Sequence, residues 1–164
     1  MSLSLALKLL HIFAAFGMVT GVIGRNITFG QAAKTTHIET AYALLKASEI
    51  FERRFVFPLS AAVLVLGLIT AWAAGWPLLG FLQGATSNWL LLSLILTVAI
   101  AVGAGALLGP RRRQRMKILE EAYAQGTITT ALTVALNDPF VLRLRWLELG
   151  LTAVIIGLMV LKPF

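Results

Sequence analysis

From Leu3 to Gly24 the chain is apolar without a break, apart from Lys8, His11 and small side chains. About 20 such residues, rising roughly 1.5 Å each in a helix, cover the ~30 Å hydrocarbon layer of a bilayer. Three further stretches repeat the pattern, at about 56–76, 89–109 and 146–162. A 164-residue chain with 59% hydrophobic residues, 13% charged residues and a mean hydropathy of +0.87 lies far from a soluble domain, where apolar usage is about 45–50% and charged usage about 25%. The expected fold is an all-α membrane protein: four transmembrane helices in one bundle, joined by connections 25–55 and 110–145 that carry amphipathic helices. The first run is expected as a span and not a leader, because no basic segment precedes its apolar core and no small-x-small cleavage site follows it.

The net charge of +7 invites a nucleic-acid reading, which the sequence does not support. Its basic residues flank apolar spans and have no interleaved aromatics or recognition motif. Topology explains them better. Connection 25–55 holds Arg25, Lys34, Lys46, Arg53 and Arg54, and connection 110–145 holds Arg111, Arg112, Arg113, Arg115, Lys117, Arg143 and Arg145. Only Lys8 and Lys162 belong to the opposite face. The positive-inside rule therefore expects both connections in the cytoplasm and both termini outside, in a bacterial inner membrane. The run from Arg111 to Lys117 would also contact anionic lipid headgroups, at about 1 kcal/mol per basic residue.

Local signals refine the helices. Leu10, Ala14, Gly17, Gly21 and Gly24 fall on one stripe of span one, a groove that admits a second helix at close range. In span three Ala99, Gly103, Gly105 and Gly109 read as further close-packing positions. Thr36 with Glu39 has the spacing of a capping box, so a helix is expected from near His37, lying on the membrane or projecting from it. Glu49 and Arg53 form an i,i+4 pair on that helix. Pro58 is expected to kink the join with span two, and Pro110 to stop span three ahead of a separate basic helix. Trp72 and Trp76 read as interfacial anchors. Asn137-Asp138-Pro139 signals a helix start.

Few residues are placed to do chemistry. With no cysteine, disulfides, iron–sulfur clusters and thiol catalysis are excluded, and no nucleotide loop, zinc-spaced cluster or Ser/His/Asp arrangement is present. No catalytic residue can be assigned from the sequence. His11 is the sharpest candidate, because an imidazole among lipid-spanning helices must satisfy its nitrogens. Haem iron is one partner and a carbonyl or hydroxyl on a neighbouring helix is another. Met159 lies three residues before Lys162 as His11 lies three after Lys8, so a His11/Met159 haem pair is possible if both lysines mark one interface. Glu148 reads as an ion-pair partner of Arg145 one turn away, or as a proton-relay carboxylate.

Leu7-Lys8-Leu9-Leu10-His11-Ile12, Glu52-Arg53-Arg54 with Pro58 and Gly67-Leu68, the apolar third span ending at Pro110-Arg111, and Leu158-Met159-Val160-Leu161-Lys162-Pro163 together resemble a bacterial family of predicted integral membrane proteins of unknown function. More distantly, the first-span histidine and the Glu-Arg-Arg-x-x-x-Pro arrangement are similar to HemJ-type protoporphyrinogen oxidases and CopD-like membrane proteins. That resemblance implies haem b at His11. It also implies a third-span lysine, which this chain lacks, so the chain departs from the oxidase pattern. The two functional expectations are a haem-associated redox or porphyrin-handling protein, and a structural or accessory subunit that docks on a larger membrane complex, or on a second copy, through its glycine-rich helix faces.

Overall fold

A computed structural model describes residues 3–163. Helix α1 spans Leu3–Ala32, α2 Ile38–Phe51, α3 Phe57–Ala73, α4 Trp89–Val102, α5 Gly109–Ala124, α6 Thr130–Leu136 and α7 Pro139–Leu161. No strand occurs among the described residues. Four rods, Ser4–Ala32, Ile38–Ala73, Trp89–Ala124 and Thr130–Leu161, are long and apolar enough to cross a membrane. Helices suit that setting because they satisfy their backbone polar groups internally.

Two of these rods pass straight through a proline, and they do so by the same device. A π-helical turn, Glu52–Val56, joins α2 to α3 just before Pro58, and a second, Gly103–Leu108, joins α4 to α5 just before Pro110. Proline lacks an N–H, and its ring collides with the carbonyl four residues earlier. A widened turn removes that collision while the helix continues. Pro110 therefore does not end the helix as expected; Trp89–Ala124 is one rod. Within the chain no helix packs on Gly103: a Cβ built there, or at Gly105, would meet nothing within 4 Å among the described residues.

The glycine stripe of α1 receives the second rod. A Cβ on Gly17 would lie 2.6 Å from Leu59 Cδ1, on Gly21 2.6 Å from Phe55 Cβ, and on Gly24 2.7 Å from Phe51 Cε1. Small residues thus let α1 lie against α2, α3 and the π turn between them, where dispersion must join helices without a hydrophobic drive. Helix α4 packs on α7.

The two ends of the bundle differ. At one, α3 closes on a Schellman turn: Gly75 takes φ +67° and the Trp76 N–H donates to the Ala71 carbonyl at 2.9 Å. The Trp76 ring then sits edge-on to Trp89 at 5.4 Å, and the ammonium groups of Lys8 and Lys162 lie 5.5 and 4.3 Å from its centroid. At the other end the connections fold into a cap. Phe29, Ala32, Ile38, Leu45, Leu119, Ala122, Leu132 and Leu136 form its buried core, with Tyr42 stacked on Tyr123 at 4.2 Å. Helix α2 is therefore packed inside the cap and does not lie free on the membrane. It begins at Ile38 with His37 as N-cap and no side-chain cap bond. Glu39 is thus the second helical residue, one short of capping-box register with Thr36. Asp138 does cap α7, accepting from the Phe140 N–H at 2.9 Å.

Candidate functional site

Where the bundle meets the cap, the chain buries a cluster of opposite charges. Arg25 from α1 is its centre. Its Nη1 donates to Glu52 Oε2 and its Nη2 to Glu148 Oε2, each at 2.6 Å. The three side chains are only 5–12% exposed. Lys8 to Arg25 is 17 residues of α1, about 26 Å, and Glu148 to the last residue of α7, Leu161, is 13 residues, about 20 Å. The cluster therefore sits close to the edge of a ~30 Å hydrocarbon layer counted from the lysine end, where an unpaired charge costs several kcal/mol. Both carboxylates are held there by one guanidinium fork.

The helices supply these residues by periodicity. On α7, Val141, Arg145, Glu148 and Thr152 share the inward stripe. On α5 the arginine run is split: Arg112 and Arg115 turn inward with Leu119 and Ala122, while Arg111, Arg113 and Lys117 remain exposed. Arg112 Nη1 reaches Glu52 Oε1 at 3.4 Å and its Nε reaches Glu49 Oε2 at 3.6 Å. Glu49 also accepts from Arg53 Nε at 2.6 Å, a pair exposed enough to contribute only tenths of a kcal/mol. Arg111 lies 3.6 Å from Asp138 and over the Phe140 ring. The π turn aims Glu52 at both Arg25 and Arg112.

Two buried arginines have no carboxylate within ion-pair distance among the described residues. Arg115 is 6% exposed and its Nε has no partner. Arg145 is 9% exposed, and its Nη1 donates to Asn26 Oδ1 at 3.1 Å. Both guanidiniums lie against the Phe29 ring, 4.7 and 3.8 Å from its centroid. Their centres are thus within roughly 9 Å of one another, close enough to repel by about 2 kcal/mol at a protein's effective dielectric. Cation–π attraction offsets part of this. Beside them opens a cavity of about 260 Å³ bounded by Arg25, Arg112, Arg115, Arg145, Ser48 and both π turns.

The sequence pairs Glu148 with Arg145, and the structure does not. Neighbours on the same stripe, they point to different partners on α1, because Arg25 offers Glu148 a forked donor and Asn26 offers Arg145 a neutral oxygen. Arg25 and Glu52 escaped sequence reasoning as a pair, since 27 positions and a chain reversal separate them. The signal within reach was the helical spacing of Arg112, Arg115, Leu119 and Ala122, legible once the helix is allowed to run through Pro110.

His11 lies at the other end of α1. Its ring packs on α3, where a Cβ at Gly67 would approach Cε1 to 3.0 Å and the Val63 backbone reaches the imidazole; no well-formed hydrogen bond satisfies its buried Nδ1 among the described residues. Met159, half-buried, sits on α7, which packs on α4 while His11 faces α3. No group of three or more His, Cys, Asp or Glu residues able to hold a metal ion occurs among the described residues.

A family model described as predicted integral membrane protein (DUF2269) matches residues 5–163. No curated protein and no solved structure matches the chain.

Proposed function

The chain belongs to the predicted integral membrane protein family DUF2269, and from that premise we propose that it binds haem b through His11 and serves redox or porphyrin-handling chemistry in a bacterial inner membrane. The observation that carries the reading is His11 Nδ1, buried with no well-formed hydrogen bond among the described residues although the Val63 backbone lies beside the ring. Such a group costs roughly 1–3 kcal/mol unless something satisfies it, and an axial bond to iron is one way to do so. When bound, haem would supply one-electron chemistry that this chain's own side chains lack. Gly67 leaves the imidazole space that any larger residue would fill, and so sets the ring's position. Met159 remains the candidate sulfur on α7. In the proposed orientation both termini face outward and the arginine-rich cap faces the cytoplasm.

The test is the absorption spectrum of detergent-purified protein expressed with ample haem supply. Wild type shows a Soret band, and His11→Ala loses it. Absence of the band in wild type overturns the reading.

The alternative, an accessory subunit docking through glycine-rich faces, loses the α1 stripe, because the chain's own second rod fills it. What favours it is the open space at Gly103 and Gly105, where another helix could approach.

A further inference from the structure

We propose that the cavity between the bundle and the cap is an anion site that takes a phosphate group. The inference is independent of haem at His11, which lies at the opposite end of α1.

The argument begins with charge. Among the described residues, Arg25, Arg53 and Arg112 balance Glu49, Glu52 and Glu148, and Arg113, which also lines the cavity, is exposed. Two buried positive charges are left over. They are not spread over a solvated surface: Arg115 and Arg145 are more than nine-tenths buried, lack any carboxylate partner, and Arg115 has an unsatisfied Nε. A chain gains nothing in stability from two uncompensated guanidiniums placed side by side, so the missing negative charge belongs to a ligand. Guanidinium groups from two helices, Arg112 and Arg115 on α5 and Arg145 on α7, line one cavity, and an excess of two charges matches a phosphate monoester better than a singly charged carboxylate.

The shape indicates how such a group enters. About 260 Å³ is ample for a phosphate and part of what carries it. The wall on the bundle side is apolar, made of Phe57, Ala104, Gly105 and Leu108 from the two π turns and their flanks. Polar on the cap side and apolar on the bundle side, the cavity accommodates either the headgroup of an anionic phospholipid, entering from the bilayer, or a water-borne phosphate.

The test uses the full chain in phosphatidylcholine nanodiscs, with thermal unfolding and native mass spectrometry as readouts. Phosphatidic acid is titrated into the discs in one arm and inorganic phosphate into the buffer in the other. A rise in Tm with bound mass in the lipid arm alone assigns a headgroup site, in the phosphate arm alone a soluble-ligand site, and in both a site for the phosphate group itself. Arg115→Gln is expected to weaken binding at least tenfold. Should that variant not fold, Arg113→Gln replaces it: this exposed arginine also lines the cavity, so its removal is expected to weaken binding at least threefold without disturbing buried packing. Lys117→Gln, on the exposed face of the same helix, leaves binding within twofold. No response of wild type in either arm, wild-type binding by both Arg115→Gln and Arg113→Gln, or an equal loss in Lys117→Gln would overturn the proposal.

Discussion

Arg25 and Glu148, 123 positions apart, meet at 2.6 Å. This contact ties the first helix to the last where the bundle meets the cap. Arg25 bonds Glu52 on the second rod as well, so a single guanidinium clamps three of the four rods. Charged groups this deep are stable only in one another's company, which makes the clamp costly to break and specific in register.

Arg25→Met strands the buried Glu148 carboxylate and leaves Glu52 only Arg112, and is expected to cost about 3–5 kcal/mol. The double substitution Arg25→Met/Glu148→Leu recovers most of that, because Glu52 keeps Arg112 at 3.4 Å. Thermal unfolding in detergent measures both. A double variant no more stable than the single one would show that the clamp is not the source of the loss.

Two glycines have opposite sensitivities. A Cβ at Gly21 would sit 2.6 Å from Phe55 Cβ and 3.2 Å from the Val56 backbone nitrogen, so Gly21→Ala forces the rods apart at about 1–3 kcal/mol. Gly103→Ala adds a methyl into open space and gains up to about 1 kcal/mol from helix propensity. Their melting temperatures should move in opposite directions, and equal losses would contradict the packing described.

Pro58 maintains the π turn that aims Glu52. In Pro58→Ala the restored N–H lets the turn tighten, rotating Glu52 by up to the ~100° that one residue subtends, away from Arg25. Helix content by circular dichroism stays constant, while Glu52→Gln costs less in the Pro58→Ala background than in wild type. A strictly additive double-mutant cycle means the proline does not position the carboxylate.

The chain has no cysteine, so single-cysteine reporters give its orientation directly. With the arginine-rich cap inside the cell, an impermeant maleimide added to intact spheroplasts labels Lys8→Cys at once and Arg113→Cys only after lysis. The reverse pattern would invert the orientation.

Much of the fold was legible in the residues. Four apolar runs, the α1 glycine stripe and the Asp138-Pro139 helix start depend on local composition and spacing, which helices obey almost without regard to context. Pro110 misled because a proline's effect depends on whether the preceding turn can widen. Thr36 and Glu39 carried the letters of a capping box, but the helix began one residue late for them to use it.

Hydropathy alone determined that this chain is made of helices able to cross lipid, because apolar length and backbone satisfaction are properties of each segment by itself. The partners of Arg25, Glu52, Arg115, Arg145 and Glu148 were decided only in three dimensions. Pairing between buried charges depends on which helix faces meet and at what depth, and a π turn of five or six residues rotates those faces in a way that no local pattern records.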